Sequence, residues 1–248
     1  MNQTARPHLL GLVAGLFLAA GLVCSAMLVT STWLRIAESQ NITVTGSARK
    51  LVQSDLIVWR GLFAAEGNTL LAAQQALKTD LAKVEGFLKE KQITNYFATP
   101  ITIQELRAKI KKDADIFEEK TVGFRLSQSV EIRSPDVPGV TQLSRDSSAL
   151  IERGVAFTTS PPEYIYTKAG EAKVEMLAEA TKDARARADQ IASPGGRRVH
   201  QLRSARMGVF QITPVHFHSL QTSWEGMNDT SSLEKTITAV VTATFSMY

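Results

Sequence analysis

Cysteine is nearly absent from this 248-residue chain, and its one thiol, Cys24, lies inside an apolar run near the start. The rest of the chain can form no internal disulfide. Thiol catalysis and zinc–thiolate sites are excluded there, and stability must come from a core or from association. A Gly-x-Ser-x-Gly nucleophile elbow is missing, as are the glycine-rich phosphate loops of dinucleotide and nucleoside triphosphate sites. Gly195-Gly196, the one double glycine, reads as a helix stop.

Long runs of one charge are missing too. Lys and Arg number 28 against 24 Asp and Glu, a formal net charge of +4 to which Arg6 and Arg35 contribute. No basic run is interleaved with aromatics, so nucleic acid is not an expected partner. The densest basic stretch, Lys109-Ile110-Lys111-Lys112, is followed at once by Asp113, Asp115, Glu118 and Glu119. The stretch reads as a solvated charged surface, and Asp113/Asp115 with Glu118-Glu119 as a hydrated turn rather than an acid–base pair.

Only one long apolar run is present. Residues 9–29 carry no charged side chain, and a helix of that length covers about 32 Å against a hydrocarbon core of roughly 30 Å. Trp33 and Arg35 come next, an aromatic and a cation suited to the membrane–water boundary. Leu9, Leu16, Val29, Trp33 and Arg35 are therefore expected to mark a membrane anchor. The expected division is a short cytoplasmic N-terminus at 1–8, a transmembrane signal-anchor helix at 9–34, a linker at 35–40 and a periplasmic domain at 41–248. The competing reading is a signal peptide whose cleavage releases the domain to the periplasm. Against it, Cys24-Ser25-Ala26 is a poor cleavage site within the run, and the run exceeds the usual signal core of about 7 to 15 residues. Leu22-Val23 are too bulky for a lipoprotein reading of Cys24. Arg6 before the run and Arg35 after it fix orientation only mildly. The usual start-proximal anchor has its N-terminus in the cytoplasm and its domain outside.

About 210 residues remain, enough for one large domain or two small packed ones. Residues 41–47 alternate as a strand with one buried face, and residues 55–65 form a second, apolar strand. Asn68 or Thr69 can cap a helix carrying Leu70, Leu77, Leu81, Val84 and Leu88, after which a strand runs through Ile101 and Ile103. The order then returns: a strand at 123–132, punctuation by Asp136, Pro138 and Gly139, a helix through Val140, Leu143, Ser147, Leu150 and Ile151 stopped by Gly154, and a strand at 155–166. Two strand–helix–strand units suggest duplication of architecture. A third, long helix has Val174, Leu177, Thr181, Ala184, Ala188 and Ile191 at helical spacing, and its small residues Ala180, Ala184 and Ala188 suit close packing on a sheet. Residues 199–207 and 236–248 read as strands, separated by a long loop at about 208–232, a length that is usually functional or mobile.

These residues resemble a known family. Ile42-Thr43-Val44-Thr45-Gly46-Ser47-Ala48 with Asp55 and its aromatic strand, Gly123-Phe124-Arg125-Leu126-Ser127-Gln128-Ser129, the helix segment from Ala180 to Ala188 and the closing alternation into Phe245 are similar to the SIMPL-domain family of bacterial envelope proteins. The resemblance covers about 41–248, and its motifs are structural rather than catalytic. It implies an α+β domain in the periplasm or at the envelope that self-assembles, some relatives forming ring- or barrel-shaped homo-oligomers and others being linked to oxidative or envelope stress. It implies no enzymatic activity. Ser193-Pro194-Gly195-Gly196-Arg197-Arg198 departs from the more regular glycine-and-lysine turn of many relatives.

Candidate chemistry is thin. His216 and His218 share one face of an extended segment, a spacing a metal can use, and His200 on a neighbouring strand is a third candidate. No carboxylate or thiol accompanies them, so exposed histidines are the favoured reading, with no metal or cofactor expected. Phe210, Phe217 and Trp224 place aromatics in the polar 208–232 loop, as contact anchors or as a lid over the sheet. The leading expectation is a non-enzymatic, membrane-anchored scaffold that partners with itself and with the bilayer. The runner-up is a module that binds a ligand or another envelope protein through the 208–232 loop, and an unrecognised hydrolase is the least supported.

Overall fold

The computed structural model describes residues 7–37, 41–113, 116–215 and 226–248. Its elements are α1 (Pro7–Ala37), β1 (Asn41–Gln53), β2 (Leu56–Gly67), α2 (Leu70–Glu90), β3 (Phe97–Ala98), β4 (Thr102–Asp113), β5 (Ile116–Ser134), α3 (Val137–Asp146), α4 (Ala149–Glu152), β6 (Ala156–Thr159), β7 (Glu163–Ile165), α5 (Ala169–Ala192), β8 (Val199–Pro214) and β9 (Glu234–Met247). The fold is α+β, as expected. Among the described residues, one helical stretch is long and apolar enough to cross a membrane, the 23 residues Gly11–Trp33 within α1. Anchors and signal sequences share that form. Ser31 and Thr32 return their hydroxyls to the Leu28 carbonyl at 2.9 and 2.8 Å, which lets polar residues sit in an apolar helix. Leu16, Val29 and Trp33 are exposed along it. The chain divides into two compact units.

The larger unit comprises Arg49–Met176 and Val209–Ala239. Its sheet is antiparallel throughout: β5 pairs with β2, β3 and β4, while β2 also pairs with β6 and β7. The two anticipated strand–helix–strand units, β2–α2–β4 and β5–α3–β6, are thus interleaved in one sheet, the split arrangement of a β-α-β-β-α-β fold. Alternation along β2 sends Ile57, Trp59, Phe63 and Ala65 to one face, where they meet Leu77, Val84, Phe87 and Leu88 of α2 and Val140 and Leu143 of α3. Thr69 caps α2 by accepting from the Ala72 amide, and Asp136 caps α3 by accepting from that of Gly139.

Two expectations are corrected here. The single strand expected at 155–166 is two, β6 and β7, because Pro161 and Pro162 intervene and proline has no N–H for the ladder. Of the residues read as a hydrated turn, Asp113, Glu118 and Glu119 are instead strand, while Asp115 lies outside the described residues. β4 and β5 stay paired beyond a bulge at Leu106/Arg107, with Ala108 opposite Lys120, Lys109 opposite Glu119 and Asp113 opposite Ile116. Opposite charges across a ladder support pairing as well as they suit solvent.

The smaller unit holds Met1–Ala48, Leu177–Gly208 and Val240–Tyr248. The strands β1, β9 and β8 lie in that order in a second sheet. Thr43 bonds Thr244 and Thr45 bonds Thr242 through their hydroxyls, at 2.9 and 3.3 Å, which sets the β1–β9 register. Val241, Ala243 and Phe245 of β9 and Val44 of β1 form its core with Ala180, Ala184, Ala188 and Ala192 of α5. The expected α5 stripe holds at its centre and fails at its ends: Ala180, Ala184 and Ala188 are fully buried and Leu177 packs against them, whereas Val174 and Ile191 are 72% and 62% exposed. The reason for the alanines is distance. A Cβ on Gly46 would overlap the Ala180 carbonyl oxygen and Ala184 backbone nitrogen, with the Ala184 Cα at 2.8 Å. Backbone meets backbone here, and only a row of small residues at every fourth position allows it. The Asp183 carboxylate accepts from the Ser47 amide at 2.8 Å beside that contact.

Gly46→Val places side-chain atoms into helix backbone that cannot yield. We expect a loss at the upper end of the overpacking range, about 3 kcal/mol, seen as a lower thermal midpoint by circular dichroism. An unchanged midpoint contradicts the close approach.

Candidate functional site

Strand β8 continues to Pro214 rather than stopping at 207, so Phe210 belongs to a strand and not to the loop. It is half-buried, and the Lys173 ammonium lies 5.9 Å from its ring centroid. His200 is exposed on β8 with its ring edge-on to Tyr248, centroids 5.3 Å apart. Among the described residues no group of three or more His, Cys, Asp or Glu is placed to hold a metal. His216, Phe217, His218 and Trp224 lie outside the described residues, while Leu9 and Arg35 fall within α1.

From Gly226 to the start of β9 the chain is tightly tied. The Ile212 amide donates to the Met227 carbonyl at 2.7 Å, and the Asp229 amide returns to Ile212 at 2.9 Å. Gly226, at φ 86°, brings its Cα against the Phe210 carbonyl, where a Cβ would meet the oxygen at 2.7 Å. Tyr164 and Ser54 donate backbone bonds to Thr230 and Leu233, at 2.7 and 2.9 Å. At the centre is Lys235, whose side chain is 0% exposed; its ammonium donates to the Asp229 carbonyl oxygen and, at 3.1 Å, to the Asp229 carboxylate. Burial alone would raise the Asp229 pKa. Bonds from the Ser231 hydroxyl and amide, from Lys235 and from the Ser232 amide outweigh it and hold the pKa down at about 2. Sequence reasoning missed this pair, although two signals were present. Asn228-Asp229-Thr230-Ser231-Ser232 has the composition of a side-chain-capped turn, and Lys235 occupies an inward position of the β9 alternation.

The second feature is the outer face of the larger unit's sheet, opposite α2 and α3. Arg60 donates to Glu131 and Glu163, each at 2.7 Å, and Arg133 donates to Glu131 at 2.5 Å. These bonds raise the Arg60 pKa and lower that of Glu131. Between this ladder and Arg125, an open groove of about 480 Å³ is lined by Leu62, Ala64, Ser127, Ala156 and Thr158. Leu62 is 45% exposed and Phe97 61% exposed. Small hydroxyls, a leucine and paired ions on an open surface suit contact with another surface. β2 ends at Gly67, opposite Phe124, so before Gly123 the strand β5 pairs only with β4 and the two form an arm.

The SIMPL family model, described as a protein of unknown function (DUF541), matches residues 42–245. No match was found among curated proteins.

Asp229 supplies a pH test. Its pKa is depressed from 3.8 to about 2, so its stabilisation, about 2 kcal/mol, is complete above pH 4 and lost as pH falls toward 2. Denaturant melts of wild type and Asp229→Asn should diverge at pH 6 and converge near pH 2; a constant difference contradicts the pairing. Lys235→Met leaves the carboxylate buried without its cation and should cost about 3 kcal/mol or more. A loss below about 1 kcal/mol in the same melts, the size of an exposed pair, contradicts that role.

Proposed function

We infer, from the premise that this chain belongs to the SIMPL family, that it is a membrane-anchored, non-enzymatic scaffold of the cell envelope that assembles with copies of itself. The reading takes α1 as an uncleaved single-pass anchor in the inner membrane, with the domain on the periplasmic side. The observation that carries it is the arm together with the open sheet face beside it. An isolated two-stranded hairpin is marginally stable in water and needs a third strand or a packing surface. Here the part of the arm before Gly123 has neither from its own β2. Exposed Leu62 and Phe97 on the uncovered face add apolar surface that a neighbour would bury. A shared membrane raises the effective concentration of tethered domains, so modest contacts suffice. Ring or cage geometry and a link to envelope or oxidative stress rest on the family resemblance.

Full-length protein in mild detergent is expected to run as a discrete large homo-oligomer by mass photometry. A monomer there, with no crosslinked species when treated in native membranes, contradicts the scaffold.

A second reading has one observation in its favour. The described residues on either side of 216–225 are firmly held, β8 before and the chain around the buried Lys235–Asp229 pair after, a footing that suits binding through the 208–232 region. Deleting 216–225 separates the two. Assembly that survives while a bound envelope partner is lost favours binding, and lost assembly favours the scaffold.

A further inference from the structure

Among the described residues β8 is an edge strand: the order β1-β9-β8 leaves its far side without a strand neighbour there. The bridge from Ile212 to Asn228 occupies that side only toward the C-terminal end of the strand. Residues 200–208 are exposed throughout. Their charge is of one sign, since no Asp or Glu occurs between Asp189 and Glu225, whereas Arg197, Arg198, Arg203 and Arg206 do. No carboxylate is paired with Arg203 or Arg206 among the described residues. A long, flat, unpaired edge is a template for another strand, and this one favours an acidic strand.

The arm offers two edges of opposite character. The β4 edge carries Arg107 and Lys109 and would meet β8 with like charge. The other edge, residues 116–122 of β5, lies beyond the end of β2 and carries Glu118 and Glu119 against the single cation Lys120, so it is acidic on balance. At about 3.3 Å per residue its length is roughly 23 Å, which the exposed stretch of β8 can match.

We propose that copies join edge to edge, with residues 116–122 of one copy laid along residues 199–208 of the next, Glu118 and Glu119 facing Arg203 and Arg206. The proposal rests on the self-assembly reading and names its contact. The added strand completes the arm as a three-stranded ribbon and closes the β8 edge with backbone hydrogen bonds, while charge rejects the β4 edge. The contact is heterologous, joining different surfaces of each copy, so it repeats from subunit to subunit until it closes on itself. A common membrane plane favours closure into a ring.

The test is a charge exchange in full-length protein, read by mass photometry across a dilution series. Arg203→Glu/Arg206→Glu and Glu118→Lys/Glu119→Lys should each raise the half-assembly concentration by on the order of tenfold or more. The combined fourfold variant should return to within about threefold of wild type. Glu119 lies opposite Lys109 in the arm, so circular dichroism is read beside each assembly curve; the fourfold variant carries the same Glu118 and Glu119 replacements and recovers only if the contact between copies, rather than the pairing within the arm, was what the reversals broke. Wild-type oligomers that are indifferent to both reversals, or a fourfold variant that fails to recover, overturn the contact and leave self-assembly standing. Monomeric wild type overturns both.

Discussion

Helices α2 and α3 cover one face of the larger unit's sheet, and the large side chains of β2, Trp59 and Phe63 among them, point toward that face. A sheet has two faces, and period-two alternation assigns each residue to one of them. The constraint propagates. With the core on one side, the other is left with hydroxyls, a leucine and an Arg60–Glu131–Arg133 ladder. The same strand lengths that build the core leave β5 extending past the end of β2 as an arm. The exposed surfaces are consequences of how the core is arranged.

The smaller unit solves its packing in another way. The buried face of its helix is mostly alanine, with Leu177 packed at one end, and proximity does the rest, α5 lying backbone-to-backbone on β1 at Gly46. Such contacts forgo the large hydrophobic transfer of a leucine core and depend instead on dense van der Waals fit. The thinness of this packing also leaves β8 as an open edge beside the sheet's centre. Edge strands in natural proteins are commonly protected by charge. On β8 the protecting charges are all positive, so they repel another β8 while admitting an acidic strand.

Much of this was legible in the sequence. The β9 alternation and the α2 stripe come from periodicity alone, Thr69 was one of two cap candidates with Asn68, and Asp136 was legible as a break but not as the cap it is; the family resemblance extends over the matched residues 42–245. The failures have definite causes. The close packing of Ala180, Ala184 and Ala188 was legible from their smallness and spacing, but the stripe was drawn one turn too far at each end, where α5 runs past its contact at Gly46 and Val174 and Ile191 are exposed. The arm was hidden because alternating charges describe a solvated turn and a cross-strand ladder equally well. Pro161-Pro162 was visible but outweighed by the apolar residues around it. Lys235 was overlooked because a charged residue at an inward strand position normally argues for exposure; its partner turn becomes evident only when the chain folds back through Gly226.

The central claim is that the arm and the open face are covered when the protein is assembled. Hydrogen exchange of the full-length protein in a bilayer reads this most directly, peptide by peptide. The account expects residues 102–123 to be protected in the bilayer nearly as well as the central strand β2, and to lose that protection when detergent dilution yields monomers. Rapid exchange of those residues in the bilayer, while β2 stays protected, would contradict it.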